Sequence, residues 1–333
     1  MKARGLRAAA LWTTSIAMAA VLAGTSAAAA GPITFNPLAG EFPEGIAFDH
    51  QGNTFVSLSP RGEIREIAVD GTQSTYAAVS PAGQGFGPVG LAFDAAGDLF
   101  VAAATFNPAT VGVYEIAKGT HTAQRLTGSE QIAFPNGLAF DDTGALYATD
   151  TLLGAVWRLS PGSTPTEVVQ TPLLEGDGSF GFGVPLGANG IAFRHGSLYV
   201  TATEKGRVVR IPISANGVAG TPQLVVESQQ LVGADGCQFD VHGGLYIAVN
   251  AQNKIVRLDP DGTITVIASA ADGLDFPASP LFGVGHGDRS TLFVTNFAFN
   301  HANPADAHPG VLSFPVGVPG QPLAPGGSFT SSG

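Results

Sequence analysis

One cysteine, Cys237, stands among 333 residues, so an intrachain disulfide is excluded. Set in the β-rich run Gly236-Cys237-Gln238-Phe239, it reads as a small buried filler rather than a nucleophilic thiol. Positive charge is also scarce. Fifteen Lys and Arg oppose 26 Asp and Glu, for a formal net charge of −11. That balance excludes nucleic acid as a partner class, because affinity there rests on neutralising phosphates. Sustained helical periodicity is missing, and beyond residue 30 no apolar run approaches a membrane span. Neither G-x-S-x-G nor H-E-x-x-H occurs, and no Cys/His cluster has the spacing zinc requires. Gly83-Gln84-Gly85-Phe86-Gly87 lacks the strand–loop–helix setting of a phosphate loop.

What is present begins with a leader. Lys2, Arg4 and Arg7 precede an apolar run from Ala8 to about Gly24, and small residues continue to Ala30. This charged, apolar, small-residue order is that of a secretory signal peptide. Residues 1–30 are therefore expected to be cleaved and the protein to be secreted or periplasmic, without membrane contact afterwards. The alanine-rich run is too short for a good anchor. Cleavage leaves 303 residues and shifts the formal charge from −11 to −14, since three positive charges leave.

A repeat follows. Phe48, Phe93, Phe140, Phe193, Phe239 and Phe282 close the same short phrase at intervals of 45, 47, 53, 46 and 43 residues. Phe55, Phe100, Tyr147, Tyr199, Tyr246 and Phe293 follow them in turn. Between each pair lies a turn, as at Asp141-Asp142-Thr143-Gly144, which predicts a β-hairpin. Two further β-rich runs complete each copy, for example Ala155 to Leu159 and Thr166 to Gln170. Four strands per unit of about 45 residues predict an all-β, six-bladed β-propeller with four-stranded blades over residues 31–318. The sixth copy lacks an outer strand, and Ile33-Thr34-Phe35 is the segment expected to supply it and close the ring. Residues 319–333, rich in Gly, Pro and Ser, read as a disordered tail.

The phenylalanines also serve as a ruler. Four residues before them stand Glu44, Val89, Asn136, Asn189, Asp235 and Ala278. Equivalent positions of a closed propeller converge on its axis, so these six should meet at one mouth of the central channel. Glu44, Asn136, Asn189 and Asp235 then gather two carboxylates and two amide oxygens, hard donors suited to Ca²⁺ or another divalent cation. Asn-Gly and Asp-Gly are also ordinary turn dipeptides, a reading that needs no ligand for Asn136, Asn189 and Asp235 but does not cover Glu44.

With Glu44-Gly45, Asn136-Gly137, Asn189-Gly190 and Asp235-Gly236 on a six-bladed frame, the chain resembles the regucalcin/gluconolactonase family, to which the luciferin-regenerating enzyme is related. The resemblance implies a divalent metal, usually Ca²⁺, and hydrolysis of lactones, that is, a carboxylic-ester hydrolase with a small-molecule lactone or ester as substrate. It implies Glu44, Asn189 and Asp235 as main metal ligands and Asn136 as a residue contacting metal or substrate. Asp235 would also be the catalytic base, with Asn136 beside the reacting group. No arginine sits in the column to bind a sugar lactone, so a hydrophobic lactone fits equally well. The alternative is a non-catalytic, NHL-like propeller that binds protein or glycan partners.

Candidate rim residues come from strand ends on the same side: Asp150, Asn250 and Asn296, with His301 and His308 from the long segment after the second strand of the sixth copy. The other histidines near first hairpins, His50, His195, His242 and His286, belong to the opposite face. Thr171 to Leu186 lengthens one interval and carries Phe180, Phe182 and several glycines, the composition of a lid.

Overall fold

The computed structural model describes residues 32–323 and Phe329. The signal peptide expected over residues 1–30 lies outside the described residues, as does most of the expected tail.

Six antiparallel four-stranded sheets form the blades of a propeller, and helix among the described residues is confined to three-residue 3₁₀ turns. First strands run over Pro43–Phe48, Gly87–Phe93, Pro135–Phe140, Ala188–Arg194, Ala234–Phe239 and Pro277–Phe282. In the sixth blade Ile33–Thr34 pairs with Gly310–Pro315, so the chain's first strand completes its last blade as expected. That pairing covers the outer edge of Gly310–Pro315 and leaves only a two-residue strand at the rim, a short template for unwanted pairing.

The phenylalanine repeat turns out to join blades rather than to fill them singly. Each ring tends to meet the aromatic of the preceding blade edge to face. Phe93 packs on Phe55 at 5.0 Å, Phe140 on Phe100 at 5.5 Å, Phe239 on Tyr199 at 4.9 Å and Phe282 on Tyr246 at 5.2 Å. Phe48 meets Phe293 across the closing seam at 5.2 Å. Such pairs contribute about 0.5–1.5 kcal/mol each beyond their buried area.

Hairpins between first and second strands lie on the face away from the column, and in four blades Asp49, Asp94, Asp141 or Asp240 organises the turn. Asp141 Oδ1 accepts the backbone N–H groups of Thr143 and Ala145, and Asp240 Oδ1 those of His242 and Gly244. On that face the first residues of the segment expected as tail are held by hydrogen bonds. The Pro319 carbonyl accepts from Val241 N, Gly320 N donates to Arg289 O, and Gln321 N donates to Phe239 O. Arg194 further donates to Gln321 Oε1 at 2.5 Å, and Phe329 packs on Phe100. Polar backbone and one amide side chain thus hold Pro319 to Gln321, which hydropathy alone does not reveal.

Candidate functional site

Every first strand breaks register with its second strand at the column. The shifts fall between Pro43 and Ile46, Pro88 and Leu91, Pro135 and Leu138, Ala188 and Ile191, Ala234 and Cys237, and Pro277 and Pro280. A bulge of this kind re-aims a side chain at the end of a ladder. Here the re-aimed residues are Glu44, Val89, Asn136, Asn189, Asp235 and Ala278, all buried. The glycine that follows five of them is not a turn residue. Gly137 lies within a strand, and a Cβ on it would come within 2.6 Å of the Asn189 carbonyl of the next blade. Close approach of blades, rather than left-handed backbone, explains the Asn-Gly and Asp-Gly dipeptides.

A hydroxyl holds each close approach in four blades. Ser57 Oγ donates to Val89 O at 2.7 Å, Thr149 Oγ1 to Asn189 O at 2.6 Å, Thr201 Oγ1 to Asp235 O at 2.7 Å and Thr295 Oγ1 to Glu44 O at 2.6 Å. The backbone of column residues is therefore fixed by the blade before them.

Five of the six column residues, Glu44, Val89, Asn136, Asn189 and Asp235, line one cavity of about 60 Å³, whereas Ala278 is buried beside Phe276 and Phe297. Two asparagine side chains are oriented by threonines that stand one residue beyond the second strands. Thr151 and Thr203 spend their hydroxyl protons on Ala188 O and Ala234 O, so they can only accept from Asn136 Nδ2 (3.2 Å) and Asn189 Nδ2 (3.0 Å). Each amide oxygen is thereby turned away from its threonine. Asn250, a candidate rim residue, also lines the cavity and donates through Nδ2 to Asp235 Oδ2 at 3.0 Å. Burial raises the pKa of Asp235 to about 7, with hydrogen bonds, Asn250's first, acting to lower it. Glu44 is pushed well above the ordinary carboxylate range by burial and then by the Asp235 charge.

These residues fit a hard divalent cation. Glu44 Oε2 and Asn250 Oδ1 are buried without a hydrogen-bond partner, and two burial-strained carboxylates face two oriented amides. A cation would satisfy the orphaned oxygen and lower both carboxyl pKa values. Among the described residues no three His, Cys, Asp or Glu side chains converge as ligands, so such an ion would draw on amide oxygens as well as carboxylates.

The remaining rim candidates do not enter the cavity. Asp150, fully buried, accepts from Ala133 N at 2.7 Å and Phe134 N at 3.2 Å and ties a loop. Asn296 accepts from Asp275 N and donates to Gly273 O. His301 Nε2 meets Asp275 Oδ1 at 2.8 Å, and the His308 backbone N–H donates to Asp275 Oδ2 at 2.9 Å. Asp275 thus gathers both histidines into a loop brace behind the wall, and the sequence reading did not single it out.

Apart from Phe180 and Phe182, expected in a lid, the wall was also missed. Phe86, Phe134, Phe180, Phe182, Phe276, Phe297 and Phe299 surround the polar floor. The ruler could have found part of it, because Phe42, Phe86, Phe134 and Phe276 stand two or three residues before their column positions. Phe180 and Phe182 come from the lengthened segment, and Phe182 lies 6.2 Å from Phe299 across the mouth. Glu204 anchors that segment. Its Oε2 accepts from Asp177 N (2.6 Å) and Gly178 N (2.7 Å), and its Oε1 from Phe180 N (3.2 Å). Below the column the first strands enclose a channel of about 140 Å³ that ends at Gln321 to Leu323 on the far face.

Residues 185–298 match the family profile described as SMP-30/Gluconolactonase/LRE-like region. The chain is 26% identical over 235 residues to lactonase drp35 of Staphylococcus saprophyticus, covering 66% of this chain and 67% of that protein. It is 28% identical over 197 residues to virginiamycin B lyase of Nocardia farcinica, covering 46% of this chain and 66% of the lyase. Among solved structures, a calcium-binding protein, regucalcin, from Agrobacterium tumefaciens superposes with a TM-score of 0.62 at 17% identity, over 87% of this chain and 94% of that one. That likeness establishes the shared fold.

Proposed function

We propose that this chain, which resembles the SMP-30/gluconolactonase/LRE-like propellers, is an exported hydrolase of lactones or related esters that depends on Ca²⁺ or another divalent cation. The observation that carries the reading is the burial of Glu44 and Asp235 in one cavity with the oriented amides of Asn136 and Asn189. Buried like charges are costly, and a binding surface has no need of them.

Glu44, Asn136, Asn189 and Asp235 would hold the cation, which supplies Lewis-acid polarisation of the substrate carbonyl. Asp235 accepts a proton from the attacking water. Burial lifts its pKa towards neutrality while ligation lowers it, and a base near neutral pH requires both effects to offset. The water oxygen bonds to the carbonyl carbon, the ring C–O bond breaks, and the proton passes to the departing alkoxide. The product is the hydroxy acid. Asn136 orients the carbonyl, and the phenylalanine wall limits access of bulk water.

The test is a Ca²⁺ titration followed by calorimetry and thermal shift on wild type and Asp235→Ala. A concentration-dependent rise in melting temperature is expected in the wild type and should be lost in the variant. No shift in the wild type would remove the cation and this hydrolytic route together.

A second reading, bond cleavage by elimination, is favoured by the similarity to virginiamycin B lyase. Hydrolysis in ¹⁸O-labelled water places one label in the product carboxylate, whereas elimination incorporates none.

A further inference from the structure

The geometry points to a neutral lactone or ester with a large aromatic or alkyl substituent as the substrate of this site, and against a polyhydroxylated sugar lactone. This inference rests on the hydrolase reading and specifies its substrate class. Its basis is how the cavity's polar atoms are already spent. Thr151 and Thr203 give their protons to main-chain carbonyls and accept from Asn136 and Asn189. Asn250 Nδ2 is committed to Asp235. Among the described residues no Lys, Arg or His side chain lines the cavity. The polar oxygens left over are acceptors on the floor, where a cation would take them. Beyond the second N–H of Asn136 and of Asn250 the floor has little left to donate, so the many hydroxyls of a sugar would lose more hydration than they regain in hydrogen bonds.

The wall above offers the opposite. Phe297 and Phe299 stack with centroids 4.5 Å apart, and Phe299 meets Phe276 edge to face at 4.9 Å. Phe86 joins this group at 5.8 Å from Phe299. Two non-glycine residues within it, Phe276 and Ala298, hold left-handed backbone with φ of 47° and 48°. Side chains rarely adopt that conformation unless their surroundings enforce it, and such residues cluster at ligand-binding sites. Phe180 and Phe182 close the wall from the Glu204-anchored segment. With about 60 Å³ the cavity takes the ester group on its floor, and an apolar substituent would pack against the rings at the mouth.

The experiment compares initial rates on a phenyl-substituted δ-lactone, a long-alkyl δ-lactone and gluconolactone by pH-stat, with Ca²⁺ present, for wild type, Phe297→Ser and Phe297→Leu. At least a tenfold higher kcat/KM on the apolar lactones is expected. Phe297→Ser should erase most of that preference through KM, and Phe297→Leu should restore it, with thermal shift confirming that both variants fold. Equal or better turnover of gluconolactone overturns the inference and leaves the hydrolase reading standing. If no lactone is turned over, the hydrolase reading fails, and binding then decides the ligand class. A rise in melting temperature with the apolar lactones but not with gluconolactone supports it, and no such selectivity overturns it.

Discussion

The hydroxyl of Thr295 donates to the main-chain oxygen of Glu44 across 2.6 Å, joining the sixth blade to the first through residues 251 positions apart. The same hydroxyl accepts from Ser279 N at 2.9 Å. Thr295→Val keeps the shape and removes both bonds, leaving a buried donor and acceptor unpaired. A loss of about 1–3 kcal/mol is expected, read as a lower urea midpoint. Because the bond fixes the Glu44 backbone, Ca²⁺ affinity should fall with it.

Glu44 and Asp235 should show opposite effects on stability and function. Glu44→Gln removes the cost of burying an ionisable carboxyl beside Asp235, so above pH 7 the metal-free protein should melt several degrees higher than wild type. The Ca²⁺-induced shift and lactone turnover should both be lost. A stabilised, inactive variant is the signature of a site that holds strain for function. A melting temperature below wild type in chelator would sink this account.

The pH dependence of the metal-free protein follows from the same pair. Burial raises Asp235 from its ordinary 3.8 to about 7 and moves Glu44 up as well. A folded pKa above the unfolded one means that the native state binds the proton more tightly. The stabilisation is fully present below the unfolded value and is lost as pH rises through the folded value. In chelator, melting temperature should therefore fall between about pH 4 and pH 7 on account of this pair. Saturating Ca²⁺ should flatten or reverse the trend, and an unchanged slope would argue that the ion binds elsewhere.

Substitution of Gly137 tests whether blade approach explains the repeated glycine. In Gly137→Ala the new Cβ meets the Asn189 carbonyl at 2.6 Å, a backbone atom that cannot step aside. Destabilisation of at least about 2 kcal/mol is expected from such overpacking, together with displacement of Asn189. Gly287→Ala is the control, because a Cβ there meets nothing within 4 Å. Equal melting temperatures for the two variants would return the dipeptide to the turn reading.

Periodicity made the blades, their closure and the converging column legible before any coordinates. At five of the six blade joints the recurring phenylalanine meets the neighbouring blade's aromatic, so the ruler has a packing cause. Less was legible where one blade differs from the rest. Asp150 and Asn250 occupy nearly equivalent strand ends, yet one ties loop backbone and the other reaches Asp235. Periodicity cannot separate them, because the outcome depends on local loop paths. The phenylalanine wall escaped for a related reason. Its rings come from strand approaches, from the Phe297 to Phe299 loop and from an insertion, and no single spacing links those sources.

Glu204 offers the remaining test, since it holds the segment that carries Phe180 and Phe182. Three backbone N–H groups converge on its carboxylate, and the segment's glycines at 178, 181 and 183 all have positive φ. Glu204→Ala removes the anchor without touching the polar floor. KM for an apolar lactone should rise several-fold, while the Ca²⁺-induced melting shift stays close to wild type. Limited proteolysis should gain a cut within residues 176–183, since unanchored loop backbone is the preferred site of nicking. If KM is unchanged while the new cut appears, the segment covers the mouth without contributing to substrate binding.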